Sequence, residues 1–106
     1  MSDTSKTERE LEKMRGVLGK EKYRIVGFDG GPVLYRDLGN GYDFEIVRSD
    51  LYEGSAYKDF YVRIFVWAYN PKEHKTQGKV VETAEGLRSI EDLKITLEKL
   101  VKKYSA

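Results

Sequence analysis

Two segments of the chain place their apolar residues at the spacing of an amphipathic helix, one near each end. The first, residues 5–18, has a narrow stripe at Leu11, Met14 and Leu18 with Val17 beside it. The second, residues 89–104, has a broader apolar stripe, from which only Ile95 deviates. This stripe consists of Ile90, Leu93, Leu97, Leu100, Val101 and Tyr104. Each segment also begins with a residue that can cap a helix N-terminus: Ser89 in the second segment, and Ser5, followed by Glu8 as in a capping box, in the first. The pattern predicts one helix at each end.

Between these helices lie runs rich in β-branched and aromatic residues, separated by clusters of Gly, Asn, Asp and Pro. We predict strands at residues 22–28, 33–38, 42–49, 60–69 and 78–84. In the third run, Tyr42, Phe44 and Ile46 alternate with Asp43 and Glu45. Such alternation is typical of a strand with one buried and one solvated face, so both carboxylates are expected to be solvated.

The resulting order of elements is α-β-β-β-β-β-α. Because the connections between strands are short, an antiparallel meander is the simplest topology. The helices need an apolar surface for their stripes, and we expect both to pack on one face of the sheet. The sequence thus predicts a single α+β domain over residues 1–106, with residues 1–4 disordered.

Composition narrows the classes of function. The chain of 106 residues is 35% charged with a net charge of +1, which argues against a dedicated phosphate-backbone binder. It has no cysteine, so disulfides, thiolate nucleophiles and cysteine zinc sites are excluded. We expect a cytoplasmic location, because the charged N-terminus lacks a signal-peptide pattern and no apolar run is long enough to span a membrane.

The sequence contains few residues in patterns suited to catalysis or metal binding. His74 is the only histidine and stands in a charged turn, so a Ser-His-Asp triad or a His-rich metal site is not expected. Asp50, Glu53 and Asp59 do not have EF-hand spacing and are interpreted as residues of a solvated loop. The glycine-rich residues 27–32 lack the P-loop and dinucleotide-binding patterns, and a hairpin turn explains them. We therefore expect no enzyme, no metal and no cofactor.

The fourth strand carries the strongest functional signal. Its even positions are mostly aliphatic and are expected to lie under the helices. Its odd positions are four aromatics and an arginine, and they would face the other way: Tyr61, Arg63, Phe65, Trp67 and Tyr69. An outward row of this kind is a candidate binding surface.

Three interpretations of this aromatic row remain open. The row could be covered by the N-terminal helix or by the loop 50–59 and serve packing alone. It could bind another protein, since Tyr, Trp, Phe and Arg are enriched at interaction hot spots. It could stack the bases of single-stranded nucleic acid, although Asp43 and Glu45 in a neighbouring strand would repel phosphates.

The loop 50–59 is a second candidate. Tyr52 and Tyr57 are residue types that offer a large contact area, unless both pack back onto the sheet. Our hypothesis is a small non-catalytic protein-interaction or inhibitor module that uses the aromatic row and this loop. A nucleic-acid-binding module is the alternative and an undetected enzyme comes third. Pairing with a second copy of the chain is also open.

Overall fold

The computed structural model describes residues 4–28, 31–52, 54–69 and 78–105, with the side chains of residues 4, 5 and 28 left aside. The elements in chain order are α1 (Thr4–Leu18), β1 (Arg24–Phe28), β2 (Gly31–Asp37), β3 (Tyr42–Arg48), a 3-10 turn (Ser49–Leu51), β4 (Val62–Ala68), β5 (Lys79–Leu87) and α2 (Ile90–Ser105). The five strands form one antiparallel sheet in the order β1-β2-β3-β4-β5. The predicted α+β meander, α-β-β-β-β-β-α, is confirmed.

Element boundaries differ from the prediction by a few residues. Helix α1 already includes Thr4, so Ser5 lies inside its first turn and not at the predicted N-cap. Strand β2 begins at Gly31, because Gly31 and Pro32 pair with β1. Strand β5 runs on to Leu87. Residues 1–3, most of the turn at 70–78 and His74 lie outside the described residues.

Both helices pack on the same face of the sheet, here called the inner face. Helix α1 contributes Leu11 and Met14 to the core. Three of the even positions of the fourth strand are fully buried beneath the helices, as predicted, whereas Phe60 and Ala68 at its two ends are half-buried. The buried three join Phe44 and Ile46 of β3 and the buried stripe of α2: Val62, Ile64, Val66, Leu93, Leu97 and Leu100. Ile95 and Val17 remain more than half exposed, since they lie off the buried stripes.

The ends of α2 are set by local chemistry and by one tertiary bond. Ser89 Oγ accepts a hydrogen bond from the Asp92 amide at 3.1 Å, which confirms the predicted cap. At the other end, Asn40 in the turn between β2 and β3 donates its side-chain amide to the Tyr104 carbonyl at 2.7 Å. That turn needs glycine at residues 39 and 41, whose φ angles are 78° and 95°.

We expect Val66→Asp to unfold the protein. Val66 is fully buried under the helices, and an unpaired carboxylate there would cost a large part of the roughly 5–15 kcal/mol that stabilises a small domain. Val81→Asp is the matched control, because Val81 lies on β5 with 45% of its surface exposed. Urea denaturation should place the control within about 1 kcal/mol of the wild type. Equal stability of the two variants would contradict the assignment of the inner face.

Candidate binding surface

The aromatic row lies on the outer face of the sheet, opposite the helices. All five of its residues are half-buried: Tyr61, Arg63, Phe65, Trp67 and Tyr69. Three of them stand within β4, and Tyr61 and Tyr69 flank it. The row is therefore neither an open aromatic platform nor a closed second core.

The register of β3 against β4 explains part of this burial. Asp43 lies opposite Trp67, and Glu45 lies opposite Phe65, as expected if these two strands pair. The Trp67 indole Nε1 donates a hydrogen bond to Glu45 Oε1 at 2.8 Å. This bond fixes the position of the indole edge. It also gives the half-buried N–H group of Trp67 the hydrogen-bond acceptor that such a group needs.

An acidic pocket adjoins the Tyr69 end of the row. Tyr35, Asp37, Asp43 and Tyr69 line a cavity of about 460 Å³ together with the glycines of the β2–β3 turn. Asp37 and Asp43 are direct cross-strand neighbours, and like charges in that position are unfavourable. The Tyr35 hydroxyl donates a hydrogen bond to Asp43.

The prediction that Asp43 is solvated is wrong. Its residue surface is only 7% exposed, because Tyr35 on β2 and the aromatic row on β4 enclose it. Burial raises the pKa of the Asp43 carboxyl, and the charge of Asp37 adds to this rise although the hydrogen bond from Tyr35 opposes it. Burial and then the charge of Asp43 raise the pKa of Tyr69. Glu45, by contrast, is half-buried.

At the other end of the row, the segment after β3 folds back across the outer face. The Tyr52 hydroxyl donates to the Pro32 carbonyl at 3.3 Å. The Tyr52 ring lies so close to Gly31 that a Cβ there would sit 3.2 Å from it, which favours glycine at this position. Tyr52 thus packs back onto β2, and burial, followed by the charge of Glu45, raises its pKa.

Tyr57 contacts the row itself. Its ring stacks on that of Tyr61 with a centroid distance of 3.7 Å and an interplanar angle of 12°. Arg63 Nη2 donates to the Tyr57 hydroxyl at 3.5 Å, and the Arg88 guanidinium lies 4.9 Å from the centroid of the Tyr61 ring. The structure therefore brings Tyr57 together with the start of the aromatic row.

A buried ion pair anchors this segment, and sequence reasoning missed it. Arg48 Nη2 and Asp50 Oδ2 are 2.7 Å apart, with side chains only 8% and 6% exposed. Asp50 also accepts the Tyr61 amide at 3.2 Å, so it joins the two ends of the loop. Burial alone would raise the pKa of Asp50, but the hydrogen bonds from Arg48 and from the Tyr61 amide outweigh it and lower the pKa.

The interpretation of Asp50 as a residue of a solvated loop is therefore wrong. The sequence offers one signal for its role, namely an arginine and an aspartate two residues apart where an alternating strand ends. Asp59 is exposed, and Glu53 lies outside the described residues. The Arg48 guanidinium also lies 4.4 Å from the centroid of the Phe60 ring, which ties the pair to the start of the fourth strand.

A preformed cavity of about 440 Å³ lies between this loop and the sheet. Val33 and Val47 are buried at its base, while Tyr52, Tyr57 and Phe65 are half-buried around it. Its polar lining includes Arg63 and Glu45. The Arg63 Nε atom is buried and makes no hydrogen bond to the described residues, and it lies 3.6 Å from the Glu85 carboxylate.

Groups suited to other chemistry are sparse in the described part of the chain. These residues contain no cluster of three or more His, Cys, Asp or Glu side chains that could hold a metal ion. No helix among them is long and apolar enough to cross a membrane. The arrangement on the outer face offers contact area, fixed donors and fixed acceptors for a ligand.

Comparison with known proteins adds nothing to these surfaces. No protein-family model, no curated protein and no solved structure matches the chain. Function has to be argued from the residues of the site, because a shared α+β architecture alone would not identify it.

Removing one partner of the buried ion pair should release the loop. We expect Asp50→Asn to destabilise the protein by about 3–5 kcal/mol, because it leaves the Arg48 guanidinium buried and uncompensated. Asp59→Asn removes the same charge from an exposed position in the same segment and should change the free energy of unfolding by less than about 0.5 kcal/mol. Equal denaturation midpoints for both variants would contradict the anchoring role.

Asp43 should make stability fall as pH rises. Because its folded pKa is raised, the folded state binds more protons than the unfolded state between about 3.9, the usual aspartate pKa, and the higher folded value. Asp43→Asn keeps an acceptor for Tyr35 but cannot ionise. The free energy of unfolding of the variant minus that of the wild type should therefore increase with pH across this window. Urea titrations between pH 3 and 7 measure it, and a difference that shrinks with rising pH would contradict the assignment.

Proposed function

We propose that this chain is a small non-catalytic binding module for another protein, acting as an interaction or inhibitor protein. Its binding surface comprises the aromatic row on the outer face and the loop 50–59. The residues assigned to binding are Tyr61, Arg63, Phe65, Trp67, Tyr69, Tyr52 and Tyr57.

The observation that carries the proposal is the cavity between the loop and the row. It combines an apolar base, Val33 and Val47, with aromatic surroundings and the arginine Arg63. Interface hot spots are concave, well-packed sites rich in Tyr, Trp and Arg, and they receive an anchoring side chain of the partner. An apolar side chain entering here would be desolvated on several sides at once.

The loop is held in place before any partner arrives, which favours binding. The Arg48–Asp50 pair fixes its two ends, and the stack of Tyr57 on Tyr61 fixes its middle. Ordering a loop or a side chain at an interface costs free energy, and a surface ordered in advance avoids much of that cost. Tyr52, a residue of the loop, attaches it to β2 through its hydrogen bond to Pro32 and therefore exposes less of its own surface to a partner.

Single-stranded nucleic acid is a weaker candidate for the same surface. Asp37, Asp43 and Glu45 stand beside the Trp67 and Tyr69 end of the row, where a stacked strand would bring its phosphates. Carboxylates there would oppose the electrostatic attraction on which such binding depends. A second copy of the chain remains an alternative protein partner, and an undetected enzymatic activity ranks third.

Capture from an extract of the source cell, with mass spectrometry and RNA sequencing of the bound material, tests the proposal. We expect a protein to be captured, and Phe65→Ala should weaken its binding by about 2 kcal/mol or more, since Phe65 lines the cavity. Ile95→Ala is the matched control, because Ile95 is 53% exposed on α2, away from the outer face. It should bind like the wild type, and both variants should retain a cooperative melting transition.

Several outcomes would overturn this assignment. Equal loss of binding in the two variants would place the interface elsewhere. Salt-sensitive capture of RNA in place of protein would favour the nucleic-acid alternative. Sedimentation of a dimer that Phe65→Ala converts to monomer would make a second copy the partner.

A further inference from the structure

A separate groove lies on the helix side of the molecule. Helix α1 packs on β1 and β2, whereas α2 packs on β5, and a cavity of about 380 Å³ is lined by residues of both helices. It opens between the C-terminal end of α1 and residues 94–102 of α2. This volume is in the range of small-molecule sites.

The lining of the groove is largely apolar. Leu97 and Tyr23 are nearly fully buried, and Leu18 and Val101 are half-buried partial members of the core. A ligand in this groove would remove from water the apolar surface that remains accessible between the two helices. Val17 extends the same surface at the rim and is 52% exposed.

The charged groups of the groove are almost all cations. Lys22, Arg36, Lys94 and Lys102 line it, and Glu98 is the single acid among the lining residues. None of these four cations forms an ion pair with another described residue. The groove therefore combines an apolar lining with a net positive charge.

Arg36 is the most informative of these cations. It projects from β2 into the groove and is half-buried, and its Nη1 donates a hydrogen bond to the Tyr23 hydroxyl at 3.2 Å. The guanidinium also lies 5.3 Å from the centroid of the Tyr23 ring, which holds it in position. A guanidinium has five N–H donors and matches a carboxylate with two parallel hydrogen bonds.

We infer that this groove binds a small molecule with a carboxylate on an apolar body. The carboxylate pairs with Arg36, the lysines at the rim add charge attraction, and the apolar body lies along Leu18, Leu97 and Val101. This inference concerns a surface different from that of the proposed function and does not depend on it.

Sodium decanoate, below its micelle concentration, is a suitable probe for the full chain labelled with ¹⁵N. We expect saturable chemical-shift changes confined to the amides of residues 17–23, 36 and 94–102. Affinity should rise about threefold to fourfold for each methylene from hexanoate to decanoate, as expected for burial of the alkyl chain. Decyltrimethylammonium, with the opposite charge, should bind at least about tenfold more weakly.

Arg36→Gln should lower the affinity for decanoate about tenfold, because it removes the charged donors. Lys99→Gln is the matched control, since Lys99 is exposed on α2 outside the groove lining, and it should leave the affinity unchanged. If Arg36→Gln fails to fold, the double variant Lys94→Gln/Lys102→Gln changes only exposed residues. It should weaken binding several-fold, and less so at high salt.

Four results of the binding experiments would overturn the inference. These are the absence of saturable shifts, equal binding of the cationic probe, affinity unchanged in the groove variants, and shifts at these amides from an acidic peptide but not from decanoate. The last result would make the groove a protein-docking surface. A dimer in sedimentation that depends on Arg36 would assign the groove to a second copy and overturn the inference as well.

Discussion

Two helices cover one face of the five-stranded sheet, and among the described residues the opposite face is covered by its own side chains and by the segment that follows β3. On the inner face, apolar residues of β3 and β4 pack against the buried stripes of α1 and α2. None of the helices in the described part of the chain lies on the outer face. On this face Trp67 and Tyr35 donate hydrogen bonds to Glu45 and Asp43 while their rings shield the sheet.

The buried pair of Arg48 and Asp50 converts the loop into part of this cover. A buried ion pair is weak support for net stability, because desolvation offsets most of the attraction between the charges. Its structural value is geometric, since the aspartate also receives the Tyr61 amide and so closes the loop at a defined place. The position of Tyr57 over Tyr61, and the cavity beneath the loop, depend on that closure.

Charge is divided between the two sides of the molecule although the net charge is only +1. Carboxylates gather beside the aromatic row on the outer face, and cations gather around the groove between the helices. The small net charge is therefore the sum of two regions whose local electrostatic potentials have opposite signs. Surfaces with opposite fields favour different ligands, and the positive one suits the anionic small molecule that we assign to the groove.

Much of the fold could be predicted from the sequence, because the periods of 3.6 and 2 are local properties of the chain. These periods predicted the order of the elements and the buried stripes of both helices. They also predicted which side of β4 packs in the core, because neighbouring residues in a strand point to opposite faces. The same period placed Tyr61, Phe65 and Trp67 on one side, and it indicated that acids would stand beside them if β3 and β4 pair.

Only the tertiary structure decided how deeply the outer residues are buried. Asp43 follows the pattern of a solvated residue, yet Tyr35, eight positions earlier, bonds to it and the row on β4 covers it. Asp50 and Tyr52 belong by sequence to a polar loop, but the side chain of Asp50 is buried in its pair with Arg48, and Tyr52 is half-buried against β2. Such burial arises from contacts between residues that are distant in sequence. A local pattern predicts the face to which a side chain points, but it does not predict which residues will cover that side chain.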